Sequence, residues 1–104
     1  GLRRMNDEFL LKYQTVILKE QTRNLKMYMK RKQKCDKTIQ ELALTPQHTT
    51  QRYWQSVSQA ELCIEESEKI KNEMNWLNLK TGWKKNLHQE RFSFITDEVL
   101  KFLE

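Results

Sequence analysis

The sequence predicts an all-α fold: a long antiparallel helical hairpin with a shorter third helix. Three observations carry this expectation. Residues 2–44 contain no glycine or proline and repeat apolar side chains every three or four positions, the period of one helix face. Pro46 is the only proline and punctuates the chain just where that stretch ends. A basic run upstream of it (Arg23, Lys26, Lys30, Arg31, Lys32, Lys34, Lys37) is mirrored by an acidic run downstream (Glu61, Glu65, Glu66, Glu68). Folded at Thr45-Pro46, the chain brings Lys30 level with Glu61, Lys26 with Glu65 and Arg23 with Glu68.

The first helix is predicted over about 2–44. Leu2, Met5, Phe9, Tyr13, Val16/Ile17, Glu20, Asn24, Met27/Tyr28, Arg31, Cys35, Ile39 and Leu42 recur every three or four residues along one face. Leu11, Leu18 and Leu25 run at strict sevens, and Ile39 rejoins them after Lys32, which reads as a heptad seam; Gln14, Gln21 and Lys32 interrupt it, so a helical bundle is an alternative to a simple coiled coil. Two triplets, Phe9-Leu10-Leu11 and Val16-Ile17-Leu18, widen the apolar surface. At 100° per residue a triplet covers roughly 200° of the helix, so one partner helix leaves apolar side chains in water.

The second helix is predicted over about 46–81. Thr45 is a good N-cap, and a proline at the first helical position loses no hydrogen bond. Tyr53, Val57, Ala60, Cys63/Ile64, Ser67, Ile70, Met74 and Leu77 share a face. The small residues Ala60, Cys63 and Ser67 permit close approach of a neighbour. Trp54, Trp76 and Trp83 form a second line, read either as a docking surface or as the core beneath the third helix. Gly82 marks a break, since glycine commonly ends helices. The third helix is predicted over about 86–103, with Asn86 and Gln89 as its capping box and Leu87, Phe92, Ile95, Val99, Phe102 and Leu103 as its apolar face.

The 104 residues form a single elongated domain, 1–104. Gly1 without an initiator methionine reads as the start of a segment from a longer protein. No apolar run exceeds three residues, so no transmembrane segment is expected, and no signal-peptide core follows Arg3-Arg4. In the predicted register Cys35 falls about seven residues from Cys63, or ~10 Å, too far for a disulfide. Both read as reduced cysteines of an intracellular protein, in the cytoplasm, the cytoskeleton or the nucleus.

No catalytic, metal or cofactor signature is present. His48 and His88 have no ligand partners at metal spacing, and Gly82 stands apart from any phosphate-binding loop. An enzyme is not expected. In composition the chain resembles coiled-coil segments of cytoskeletal, centrosomal, kinetochore or meiotic scaffolds, without a residue-level motif. The function read from the sequence is a helical protein–protein interaction module, self-associating or pairing with another helical chain. Its candidate interface residues are Phe9, Leu10, Leu11, Val16, Ile17, Leu18, Leu25, Trp54, Trp76, Trp83, Phe92, Ile95, Val99 and Phe102. One alternative is nucleic-acid binding through the basic 23–37 face, with Lys26, Lys30, Arg31, Lys32 and Lys34 as anion contacts. A second is a membrane-trafficking helical bundle using the same face. The mirrored glutamates are expected to compensate much of the basic run, which ranks assembly first. Residues 1–52 carry twelve basic and five acidic side chains, and residues 53–104 carry seven and nine.

Overall fold

The computed structural model describes the backbone of residues 2–44 and 50–104 and the side chains of residues 7–44 and 51–104. Two long helices, α1 (Leu2–Ala43) and α2 (Thr50–Thr81), pack antiparallel. A short helix, α3 (Asp97–Leu103), ends the chain. The described residues contain no strand. The chain reverses between Ala43 and Thr50; the predicted Thr45-Pro46 cap lies outside the described residues. The shape is elongated, 58 × 31 × 19 Å, with a radius of gyration of 17.6 Å, against ~13 Å for a globule of 100 residues.

Both helices bury a heptad stripe. In α1, Leu18, Thr22 and Leu25 are buried, and Met29, Lys32, Asp36 and Ile39 continue the stripe half-buried. In α2, Ala60, Cys63, Ser67, Ile70, Met74 and Leu77 are buried at alternating spacings of three and four. This alternation keeps one seam facing the partner over several turns. The large seam residues lie toward the open end of the hairpin and the small ones toward the turn. Lys32 and Asp36 occupy seam positions and neutralise each other through a 2.7 Å ion pair.

The ion pairs that the charge pattern predicts do not form. Lys30–Glu61, Lys26–Glu65 and Arg23–Glu68 are not ion pairs among the described residues, and all six side chains are exposed. Between α1 and α2, Gln21 Nε2–H donates to the Glu73 carboxylate and Lys80 Nζ lies 3.8 Å from Asp7. The reason is energetic. An exposed ion pair contributes ~0–1 kcal/mol, whereas burying one leucine contributes roughly 1.5–3 kcal/mol. The seam therefore sets the alignment. It turns Arg23 and Lys30, each one residue past a seam position, and Glu61, Glu65 and Glu68 away from the contact.

Gly82 ends α2 as predicted, in left-handed geometry (φ 66°) with its N–H donating to Asn78 O at 2.7 Å. The third helix is shorter than the predicted 86–103. Residues 83–86 and 90–92 form single 3₁₀ turns, and α3 begins at Asp97. Asn86 and Gln89 do contact each other, with Gln89 Nε2–H donating to Asn86 Oδ1 at 3.3 Å. They close a turn rather than cap a helix, because Gln89 is extended (ψ 140°). The helical start is at Thr96, extended at N-cap, followed by Asp97 and Glu98 in the first turn, where carboxylates favour the helix dipole.

This C-terminal segment folds back over the hairpin and completes the core. Leu18 and Leu25 from α1 and Ile70, Met74 and Leu77 from α2 join Trp83, Phe92, Ile95, Val99 and Leu103 in one buried cluster. Polar clamps hold the segment to both helices. Trp83 Nε1–H donates to Met74 O at 3.0 Å, Asn75 Nδ2–H to Leu103 O at 3.1 Å, and Lys26 Nζ–H to Phe94 O at 3.1 Å.

Thr22 sits in the seam, only 2 % exposed, and its Oγ1 has no hydrogen-bond partner. A buried unsatisfied hydroxyl costs about 1–3 kcal/mol. Thr22→Val keeps the branched shape and removes that group, so the variant is expected to be more stable by roughly 1 kcal/mol. A urea titration checks this, and a loss of stability contradicts it.

Candidate functional site

The structure sorts the predicted interface residues into three groups. Leu18, Leu25, Trp83, Phe92, Ile95 and Val99 are buried in the chain's own core, and Leu10, Ile17 and Phe102 are half-buried against it. These nine are used within the chain. Phe9, Leu11, Val16, Trp54 and Trp76 remain exposed. The tryptophan line divides for a local reason. Gly82 breaks the helix, so Trp83 leaves the azimuth shared by Trp54 and Trp76 and turns inward.

Six exposed large apolar side chains lie toward the open end of the hairpin, where Asp7 meets Lys80, while Leu44, Trp54, Leu62 and Ile64, the last expected on the buried face of α2, are exposed nearer the turn. On α1, Phe9, Tyr13 and Val16 follow each other by four and three residues, one stripe of a helix. Phe9 and Val16 are 55 % and 63 % exposed, and the rings of Phe9 and Tyr13 lie 4.6 Å apart. Leu11 is 53 % exposed as well. Trp76 and Leu79 on α2 face solvent too, Leu79 at 83 %. Sequence reasoning missed Tyr13 and Leu79 as surface residues. Leu79 was detectable, since it is two positions past Leu77 and so off the buried stripe.

A second face runs along the outer side of α1. Arg23, Lys30, Arg31, Lys34 and Lys37 are exposed and lack an ion-pair partner among the described residues. Two of the predicted anion contacts behave differently. Lys32 turns into the seam toward Asp36, and Lys26 clamps the Phe94 carbonyl. The reason is their place on the helix: position 32 belongs to the heptad stripe, and position 26 lies beside the folded-back segment.

Nearer the turn, a shallow groove between α1 and α2 is lined by Cys35, Thr38, Trp54, Ser56 and Gln59. Both cysteines are free thiols, with Cys63 buried and Cys35 half-buried. Burial pushes the Cys63 thiol pKa up, and the nearby Cys35 adds to the shift. Among the described residues no three His, Cys, Asp or Glu side chains gather as a metal site would require. None of the described helices is long and apolar enough to cross a membrane.

The fold and its surface define a helical hairpin with a folded-back C-terminal clasp, an apolar open end and a basic outer face. The chain belongs to the family described as "Protein of unknown function (DUF1140)", whose family model matches residues 8–103. No curated protein and no solved structure matches it.

Proposed function

We propose that the chain is a non-enzymatic protein–protein interaction module that assembles by helix packing, with itself or with another helical chain. The observation that supports this reading is the apolar open end. Phe9, Leu11, Tyr13 and Val16 of α1 and Trp76 and Leu79 of α2 are all exposed there, after the chain has folded its own C-terminal segment into place. Surface apolar residues scattered singly need no explanation, but a concentration of this kind marks interaction sites. Tryptophan and tyrosine at such a site supply large contact area at low entropic cost. The two free thiols suit a reducing, intracellular setting, in the cytoplasm or cytoskeleton or in the nucleus.

Light scattering after size exclusion tests the proposal. The protein at micromolar concentration is expected to run above its monomer mass of 12.7 kDa. Phe9→Asp with Val16→Asp is expected to return it to monomer with unchanged helicity, because both sites lie outside the core. A wild-type chain that folds cooperatively as a monomer at that concentration removes the support for self-association.

A further inference from the structure

We propose that the outer face of α1 is a binding surface for double-stranded DNA that engages the phosphate backbone without reading sequence. The surface is a single row. Arg23, Lys30, Lys34 and Lys37 follow one another by seven, four and three residues, which places them along one side of a helix. Arg31 flanks the row. At 1.5 Å per residue, Arg23 to Lys37 spans ~21 Å. Between Glu20 and Glu41 the only acidic residue of α1 is Asp36, and it faces the seam and pairs with Lys32. No carboxylate interrupts the row.

The bland reading is a solvated charged face, and two observations weigh against it. The acids expected to neutralise the row within the chain (Glu61, Glu65 and Glu68) form no ion pair with it and are exposed themselves. The like charges are also stacked at helical neighbour spacings, as in Lys30–Lys34, Arg31–Lys34 and Lys34–Lys37, and such pairs oppose the helix. A polyanion relieves this repulsion; Glu20 and Glu41 stand only at the two ends of the row, and Lys30, Arg31 and Lys34 have no carboxylate at those spacings.

The surroundings of the row select the polyanion. Single-strand sites interleave cations with aromatic platforms on which bases stack. Here the side chain between the cations is Met27, lining a shallow cleft with Lys30, Arg31, Lys34 and Lys37. Tyr28 packs toward the core instead. Interfacial membrane helices need a broad apolar face beside the charges, and this row has one methionine. A straight cationic helix face matches the B-DNA major groove, about 12 Å wide, or the phosphates along its edge. The cations contact phosphate rather than base edges, so binding is sequence-independent.

Fluorescence anisotropy with a labelled mixed-sequence DNA duplex of about 20 base pairs tests the proposal, titrated from 50 to 200 mM salt. Four to five phosphate contacts predict a slope of log affinity against log salt of about −4, a loss of about 250-fold across that range. Lys30→Gln, Arg31→Gln and Lys34→Gln together are expected to flatten the slope by about 2.7. The control triple of Lys12→Gln, Lys85→Gln and Lys101→Gln removes the same charge elsewhere and is expected to keep the slope near that of the wild type. Circular dichroism confirms that both triples fold, since every site is exposed. Oligo(dT) and phosphatidylserine vesicles run as competitors. The proposal is overturned if no duplex binding is seen at 50 mM salt, if the two triples lose affinity equally, or if either competitor binds more tightly than the duplex.

Discussion

Trp83→Ala is expected to cost about 3–5 kcal/mol of folding stability and to release the C-terminal segment from the hairpin. The indole is fully buried, and its Nε1–H donates to the Met74 carbonyl at 3.0 Å. It stands one residue after the left-handed Gly82, at the point where the chain leaves the α2 axis. The residues that pack in the same cluster from the returning segment are Phe92, Ile95, Val99 and Leu103. None of the helical turns that carry them is long. The segment has two 3₁₀ turns and a seven-residue α3, and isolated helices of that length are not stable in water. Its order therefore derives from burial against the hairpin, and Trp83 is the largest buried side chain in that contact. Domains of this size have a total stability of about 5–15 kcal/mol, so the loss is a large fraction of the whole. Urea unfolding measures the loss, and hydrogen exchange at residues 97–103 locates it. Trp83→Phe retains most of the ring and loses the donor, and is expected to fall between wild type and alanine. A change below about 1 kcal/mol for the alanine variant contradicts the role assigned to Trp83.

The architecture was legible in the sequence because it rests on period and punctuation. Leu11, Leu18, Leu25 and Ile39 gave one heptad series, Ala60 to Leu77 another, and Gly82 a stop. The contacts between the helices were not legible from charge. Lys30 and Glu61 look complementary in a string, but both lie outside the seam and their attraction in water is weak. Leu18, Thr22 and Leu25 against Ile70, Met74 and Leu77 carry the larger energy, and their side chains fix how far α1 slides along α2. The third helix was placed too early for a related reason. Asn86 and Gln89 resemble a cap, but Phe92, Ser93, Phe94, Ile95 and Thr96 are weak helix formers. Thr96-Asp97-Glu98 was the better start signal. Of the apolar residues proposed for an interface, those buried in the folded-back core could not be told from exposed ones by composition. That distinction depends on which of three helices covers which stripe. The triplet Val16-Ile17-Leu18 shows it within one turn, with Val16 exposed, Ile17 half-buried and Leu18 fully buried.

Leu18→Asp is expected to destabilise the fold by several kcal/mol near neutral pH, while Leu11→Asp leaves the fold intact and weakens assembly. The two leucines are seven residues apart on one heptad series, so sequence alone treats them alike. The structure separates them. Leu18 is fully buried in the cluster with Leu25, Ile70, Met74 and Leu77, whereas Leu11 is 53 % exposed near the open end of the hairpin. An unpaired carboxylate at the Leu18 site costs several kcal/mol through desolvation, added to the loss of the leucine's own burial. The desolvation cost depends on pH with a defined sign. An apolar site raises the folded-state pKa of the introduced carboxyl above its unfolded value of about 3.9. Protonation then favours the folded chain, so the deficit relative to wild type shrinks as pH falls through the raised folded value toward about 3.9 and grows again as pH rises. Matched urea titrations of wild type and variant at about pH 4 and pH 7 read this difference. A deficit that is equal at both values places the carboxyl in water and contradicts the burial of Leu18. For Leu11→Asp the decisive pair of readings is unchanged helicity with a mass reduced to 12.7 kDa. Retention of the wild-type oligomer by that variant excludes position 11 from the contact, and a collapse of helicity assigns Leu11 to the fold instead of the interface.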